Sequence, residues 1–536
     1  MEIKFCSNCG ESLTDPAFCV KCGTFTEQSS PPQFETPPVN NPITTIPKPP
    51  RVYSATDLIT ALLCLALGYF FVKFVLFNTV SLYTMIFNFA FGGLAIFYSH
   101  KQGKRAKRSH IAVIATAFLL NCVYIVSSNT FLTLIGGTFA VMLGIYIFFI
   151  AANNFPLFSN SFVIDFARSI FTPFAAFGEC SRTIVEKVKT KKSSKKLGFI
   201  LIGLLISLPI TLICAALLMK ADDIFRNLMG NILDFGISET FEFVLRFAFG
   251  IPVASYLFGM LFTNTKRENQ PSSDKPLPTH VVPTTIACST VAPVCFLYVI
   301  FFISHFSYLT SALWGSVHAD FSYAEYARQG FFELCAVAMI NLIIIIFLNL
   351  FDKKSDNGLT SKAVKFFTTF MVVSTVILIT TALGKMFLYI DSYGLTRLRV
   401  YTSLFMVLLL ICFVIIAIRT FKENMKVFKP LFAVFAVMVG ILCFGNVDGF
   451  IARYNISAYQ NGQLAELDVR LFYELSDAAV IPAIRLADSD CEVGEQIREY
   501  LRHKYEHLNE LNFGEFNLES ARALSELQAL REYYRE

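Results

Sequence analysis

Runs of about twenty uncharged, mostly apolar residues recur along this chain, each long enough to cross a hydrocarbon core roughly 30 Å thick. Nothing else in the sequence restricts the fold as strongly. Inside a bilayer there is no water to satisfy backbone N–H and C=O groups, so each such run must satisfy its own, which an α-helix does. About eleven membrane helices are expected, at 58–78, 80–99, 111–127, 131–152, 197–219, 241–263, 284–306, 330–351, 364–386, 401–418 and 428–446. Only Asn78 and Thr79 divide the first two. With 16% charged residues, against about a quarter in soluble domains, the chain is neither a soluble globular enzyme nor a disordered polymer nor a disulfide-stapled module. The fold class is an all-α polytopic membrane protein, residues 53–447, with modules at both ends.

Lys and Arg accumulate in cytoplasmic loops, so the spans can be tested for sidedness. With Met1 inside, the inner loops and their flanks hold 24 Lys and Arg and the outer loops hold six: Lys220, Arg226, Arg328, Lys385, Arg397 and Arg399. A missed or invented helix would invert every later loop. The expected location is therefore the plasma membrane, N-terminus cytoplasmic and C-terminus extracytoplasmic. Lys73, inside the first span, reads as a snorkelling side chain.

Residues 1–25 form a separate module. Cys6 and Cys9, then Cys19 and Cys22, make two C-x-x-C pairs nine residues apart, each followed by a glycine, Gly10 and Gly23. Two such knuckles aim four thiolates at one tetrahedral point, the arrangement of a structural zinc ribbon. A disulfide reading competes, but it needs an oxidising compartment, and no cleavable signal peptide precedes these cysteines. Zinc would then supply folding energy that so short a segment lacks. Residues 26–52 are a Pro-rich linker, with eight of the 20 prolines between Pro31 and Pro50.

Two further segments have their own character. Ser161 to Lys189 carries Phe162, Phe166, Ile170, Phe171, Phe174 and Phe177 before a Lys-rich end. It reads either as one amphipathic helix on the inner surface or as a linker helix. The tail, 448–536, holds 17 acidic and 9 basic residues, and so is near −8 in a chain of net charge +5. Leu471, Leu475, Ala478, Val480, Ile484 and Leu486, then Ile497, Leu501, Leu508 and Leu511, recur at helical spacing, which predicts a small helical domain. Pro482 would kink or restart its first helix.

Polar residues gather where this topology places the outer face. One group is Tyr323, Glu325, Tyr326, Arg328 and Glu333; a second is Asp391, Tyr393, Arg397 and Arg399; a third is Asp448 and Arg453. Charges at a membrane boundary are costly unless paired or hydrated, so these mark an ion-pair network or a polar cavity. Arg397 and Arg399 oppose the positive-inside trend. Their guanidiniums would clamp Glu325, Glu333 or Asp391, or an anionic envelope ligand. Asn455-Ile-Ser matches a glycosylation acceptor. No nucleotide loop, nucleophile elbow or metalloprotease helix stands in its required context, so an enzyme is not expected.

The segments Tyr323–Leu334, Tyr393–Arg399, Ala221–Phe225 and Asn446–Asn455 together resemble a bacterial family of polytopic membrane proteins of unknown function. It is the domain-of-unknown-function family forty-one seventy-three or its relative forty-one fifty-three, over roughly residues 59–486. The resemblance implies a bacterial plasma-membrane location and no activity or catalytic residue.

Three functions compete. The first is an envelope sensor or scaffold, with the outer face meeting an envelope component and the ribbon meeting a cytoplasmic protein. The second, a transporter or flippase, lacks an ionisable site near mid-membrane. The third is a transferase using Glu325, Glu333 or Asp391 as base and the two arginines as phosphate clamp. Nucleic acid is an unlikely partner, because Lys4 and Lys21 are the only cations of the ribbon.

Overall fold

The computed structural model describes residues 5–6, 8–12, 20–22, 53–76, 81–159, 162–188, 207, 211, 214, 218–234, 238–266, 282–304, 331–351, 361–422, 425–487 and 492–533. It divides into two units, 1–52 and 53–536. In the first, the described residues form a tight turn in which the Cys6 amide donates to the Glu11 carbonyl at 2.8 Å. Gly10 takes the left-handed backbone that the turn requires, at φ +71°.

The second unit is built of helices joined by turns, with no strand among its described residues. Its first half contains α1 (Ala55–Phe70, continued by a π turn, Phe71–Val75), α2 (Leu82–Lys101), α3 (Arg108–Asn121, continued by Val123–Val126) and α4 (Thr130–Asn153). There follow α5 (Phe162–Phe171), α6 (Glu179–Val188), α7 (Asp223–Asp234) and α8 (Ser238–Lys266). A second group comprises α9 (Thr284–Ser304), α10 (Phe331–Phe351), α11 (Lys362–Tyr393), α12 (Arg397–Phe421) and α13 (Phe428–Phe444). The tail supplies α14 (Val447–Gln460), α15 (Glu492–Asn509) and α16 (Leu518–Tyr533).

Nine of the described helices are long and apolar enough to cross a membrane, and a tenth crossing is reached if α13 and α14, bent by 64°, count as one span. Each expected span except 197–219 falls on a described helix; most of that one, and the Asn78–Thr79 division, lie outside the described residues. The ends are fixed by caps. Ser54 and Asp57 form a capping box at α1, Asn129 accepts the Leu132 amide at 3.0 Å, and Thr396 accepts that of Arg399 at 3.4 Å. At 32 residues α11 is about 48 Å long, well beyond a hydrocarbon core, so its last turns carry Asp391 and Tyr393 past the boundary expected at 386.

Helix packing relies on small residues. Gly68 of α1 lies against Gly250 of α8, and a Cβ added at Gly250 would come within 2.9 Å of the Tyr69 amide nitrogen. Only glycine lets the two backbones approach this far. Between α9, α10 and α11 an apolar core carries a polar tie: the Tyr298 hydroxyl donates to the Asn341 carbonyl oxygen at 2.5 Å, and the Asn341 amide donates to Thr375 Oγ1 at 2.8 Å.

One expectation is corrected. Ser161 to Lys189 is not one helix: it breaks at Thr172–Ala176, where Pro173 enters, into α5 and α6. Both pieces are tied to the bundle, where the Tyr256 hydroxyl donates to the Ile170 carbonyl at 3.2 Å and the Tyr53 hydroxyl to Glu179 at 2.6 Å. In the tail, Leu471, Leu475, Val480, Leu486, Ile497, Leu501 and Leu508 do share one core, and Pro482 sits in the short helix Val480–Ile484. That core also takes in Leu395 and, at its edge, Ile390, Val400 and Tyr401 of the membrane helices.

Candidate functional site

The tail is joined to the bundle by a polar cluster at the ends of α3, α4, α11 and α12. Asp448, near the start of α14 and 2% exposed, is at its centre. Arg397 holds it bidentately, Nε to Oδ1 at 2.9 Å and a terminal nitrogen to Oδ2 at 2.6 Å. Oδ2 also accepts from the Asn129 amide at 2.7 Å and the Ser476 backbone N–H at 3.0 Å. The second hydrogen of the Asn129 amide reaches the Tyr401 hydroxyl at 3.0 Å. A buried carboxylate is tolerable only when its lone pairs are met in this way.

Next to it, Glu519 accepts from the Ser128 amide at 2.9 Å, from the Ser127 and Ser128 hydroxyls, both at 3.2 Å, and from the Ser476 hydroxyl at 3.3 Å. Burial pushes its carboxyl above the usual range, the nearby Asp448 charge adds to this, and the serine donors oppose it. Asp477 is held by Lys504 at 2.8 Å and the Ser520 hydroxyl at 2.6 Å. Thus the three-residue turn 127–129 touches three separate tail segments.

The expected outer residues are distributed unevenly around this cluster. Arg397 and Asp448 are its core. Arg399 turns away, donating to the carbonyls of Tyr393, at 2.8 Å, and Gly394, with its guanidinium 4.2 Å from the centre of the Tyr389 ring. Tyr393 is exposed and packs tilted at 53° against Tyr389, while Asp391 and Arg453 are exposed. Glu333 lies within electrostatic reach of Lys385. Tyr323, Glu325, Tyr326 and Arg328 lie outside the described residues. The arginines thus engage Asp448 and backbone carbonyls, and neither is paired with Glu333 or Asp391 among the described contacts. Asn455, 4% exposed, exchanges two hydrogen bonds with the Leu395 backbone at 2.7 and 2.8 Å, so this amide is not presented for glycosylation.

Asn129, Ser476 and Glu519 were not visible as site residues in the sequence. Asn129 carries a helix-start signal ahead of an apolar run, but nothing local indicates that its amide reaches residue 448. A comparable cluster at the other end ties α1, α2 and α8 together. There Asp57 accepts from the Tyr98 hydroxyl at 2.8 Å and pairs with Lys266.

In the N-terminal unit the sulfurs of Cys6, Cys9 and Cys22 lie within 4.8 Å of one another, Cys6 and Cys22 at 3.6 Å. That is near the ~3.8 Å edge of a tetrahedron with metal–sulfur bonds of about 2.3 Å. Cys19 lies outside the described residues.

Comparison with known proteins adds one finding. The family model described as Domain of unknown function (DUF4153) matches residues 113–486, well over half the chain. The chain belongs to this family. Of the two resemblances carried by the sequence, forty-one fifty-three is thus the one that holds, although the match begins at 113 and not near 59. It ends at 486, so the family region includes Arg397, Asp448, α14 and Ser476, but not α15 or Glu519 of α16. No curated protein and no solved structure matches.

Proposed function

We infer that this DUF4153 protein is a scaffold or sensor of the bacterial cell envelope, with a zinc ribbon on the cytoplasmic side and a docked acidic tail on the other. The observation that carries this reading is the Asp448 cluster. A tail held by a buried ion pair and by the 127–129 turn is a fixed platform continuous with the bundle, and a load or signal reaching it is passed to the membrane helices. Cys6, Cys9, Cys19 and Cys22 would hold the zinc, and the metal would keep the ribbon folded as a protein-binding module. A tail near −8 favours a cationic face on the envelope partner.

The same geometry weakens the transferase reading, because Arg397 and Arg399 are engaged with Asp448 and with carbonyls and are not aimed at a phosphate. It also gives little to transport, since Asn341, Tyr298 and Thr375 satisfy one another in the helix interior as interhelical ties.

The test is cross-linked affinity capture of the full-length chain from membranes, beside two variants. Replacing Cys6, Cys9, Cys19 and Cys22 by Ser should remove bound zinc and the cytoplasmic partners while keeping the tail-dependent ones. Asp448→Ala should do the reverse. Partner sets unchanged in both variants would overturn the reading.

A further inference from the structure

A cavity of about 780 Å³ lies between α2, α3, α4, α8 and the 172–176 turn. Its walls are apolar, with Phe87, Phe91, Phe118, Phe148 and Tyr256 prominent. The polar pair inside it, Asn88 and Asn121, is hydrogen-bonded together at 2.6 Å. Charge enters at one end only, through Lys104 and Arg105 beside His100, and no acidic side chain among the described residues lines the cavity to neutralise them. The turn after α2 puts them there: Gly103 adopts φ +73°, and the Lys104 amide donates back to the Ser99 carbonyl at 2.9 Å. From Phe87 to His100 the cavity follows α2 for about 20 Å, longer than the roughly 15 Å hydrocarbon depth of one leaflet. On its rim Ile96 and Phe174 are 56% and 55% exposed, which in a bilayer means contact with lipid.

We propose that this cavity is a binding site for one anionic phospholipid, its acyl chains between α2, α3, α4 and α8 and its phosphate on Lys104 and Arg105. An apolar chamber is poorly filled by water, and the surrounding bilayer supplies chains to fill it. The two cations stand at the head-group end, where they complement a net negative lipid and discriminate against a zwitterionic one. A soluble phosphate would use the cations and leave the apolar walls uncovered. The site is independent of the scaffold reading and uses none of its residues.

The experiment is native mass spectrometry of the full-length protein in mild detergent, titrated separately with phosphatidylglycerol, phosphatidylcholine and inorganic phosphate. Two variants separate head group from chain. In Lys104→Ala/Arg105→Ala, affinity for phosphatidylglycerol should fall about 30-fold, the loss expected for two surface cations, while phosphatidylcholine binding is unchanged. Gly144 lines the cavity, and a Cβ there meets nothing within 4 Å, so Gly144→Leu fills the space without a backbone clash. This variant should lose both lipids and keep the melting temperature and elution volume of the parent. Equal binding of the two lipids by the parent, unchanged phosphatidylglycerol affinity in the double variant, unchanged lipid binding in Gly144→Leu, or displacement of lipid by inorganic phosphate would each overturn the proposal.

Discussion

At the scale of single residues, the Asp448 cluster is a set of charges whose removal is asymmetric. Arg397→Ala leaves a carboxylate with its main counter-charge gone in a buried place, a change that costs about 3–5 kcal/mol in comparable pairs. It should release the tail to protease at concentrations that leave the parent intact. Replacing both partners by apolar residues should cost less than Arg397→Ala alone, and a double-mutant cycle on tail proteolysis checks it. Glu519 makes the opposite kind of contribution. The folded chain holds its proton more tightly than the ordinary value of 4.5, so ionisation costs stability. This cost is absent below the unfolded value, grows as pH rises toward the raised folded one, and is constant above it. Glu519→Gln keeps an acceptor for the Ser128 amide, so it should raise the melting temperature at pH 7 and lose that advantage near pH 4. The Tyr500 hydroxyl is buried with no hydrogen-bond partner among the described residues, and Tyr500→Phe should be neutral or stabilising by about 1 kcal/mol in the same melts.

At the scale of elements, helix placement was legible because it rests on local quantities: run length, caps and apolar spacing. The tail shows this well, since Leu471 through Leu508 repeat at helical intervals and do share a core. Contacts between elements were not legible. Arg397 stood out in the sequence, yet its partner is 51 residues away, and Asp448 had no feature that preferred it to Asp391 or Glu333. Asn129 and Glu519 are ordinary polar residues until the 127–129 turn meets the tail. The break of 161–189 was missed because its phenylalanines keep an amphipathic pattern on both sides of Pro173. The α1–α8 contact was equally hidden, since it depends on where two glycines meet. Gly250→Leu should force those helices apart, beyond the 1–3 kcal/mol of ordinary overpacking because the obstruction is backbone. A sharp loss of monodisperse protein on size exclusion checks it, with Gly440→Leu, where an added Cβ meets nothing within 4 Å, as the control.

At the scale of the whole molecule, the helices gather their connections into two groups. The turn 127–129, residues 394–397 and Asp448 meet at one end, and Asp57, Tyr98 and Lys266 meet at the other. This is the division that alternating crossings require, and it is reached from contacts, with no use of charge. The excess of Lys and Arg, 24 against six, predicts that the second group faces the cytoplasm, which reporter insertions test. Two exposed glycines mark insertion points, and one of them, Gly103, follows Gln102, whose side-chain amide reaches Asp57 at 3.4 Å. Gly103 and Gly462 both adopt φ +73° in tight turns, and loop tips of this kind tolerate inserted chain. Alkaline phosphatase, which folds only where disulfides form, should be active after Gly462 and inactive after Gly103 in the otherwise complete chain. A green fluorescent reporter exported in unfolded form should show the reverse. Activity of one reporter at both points would place the acidic tail and the basic mouth of the cavity on one side. The charge asymmetry would then have a cause other than membrane orientation.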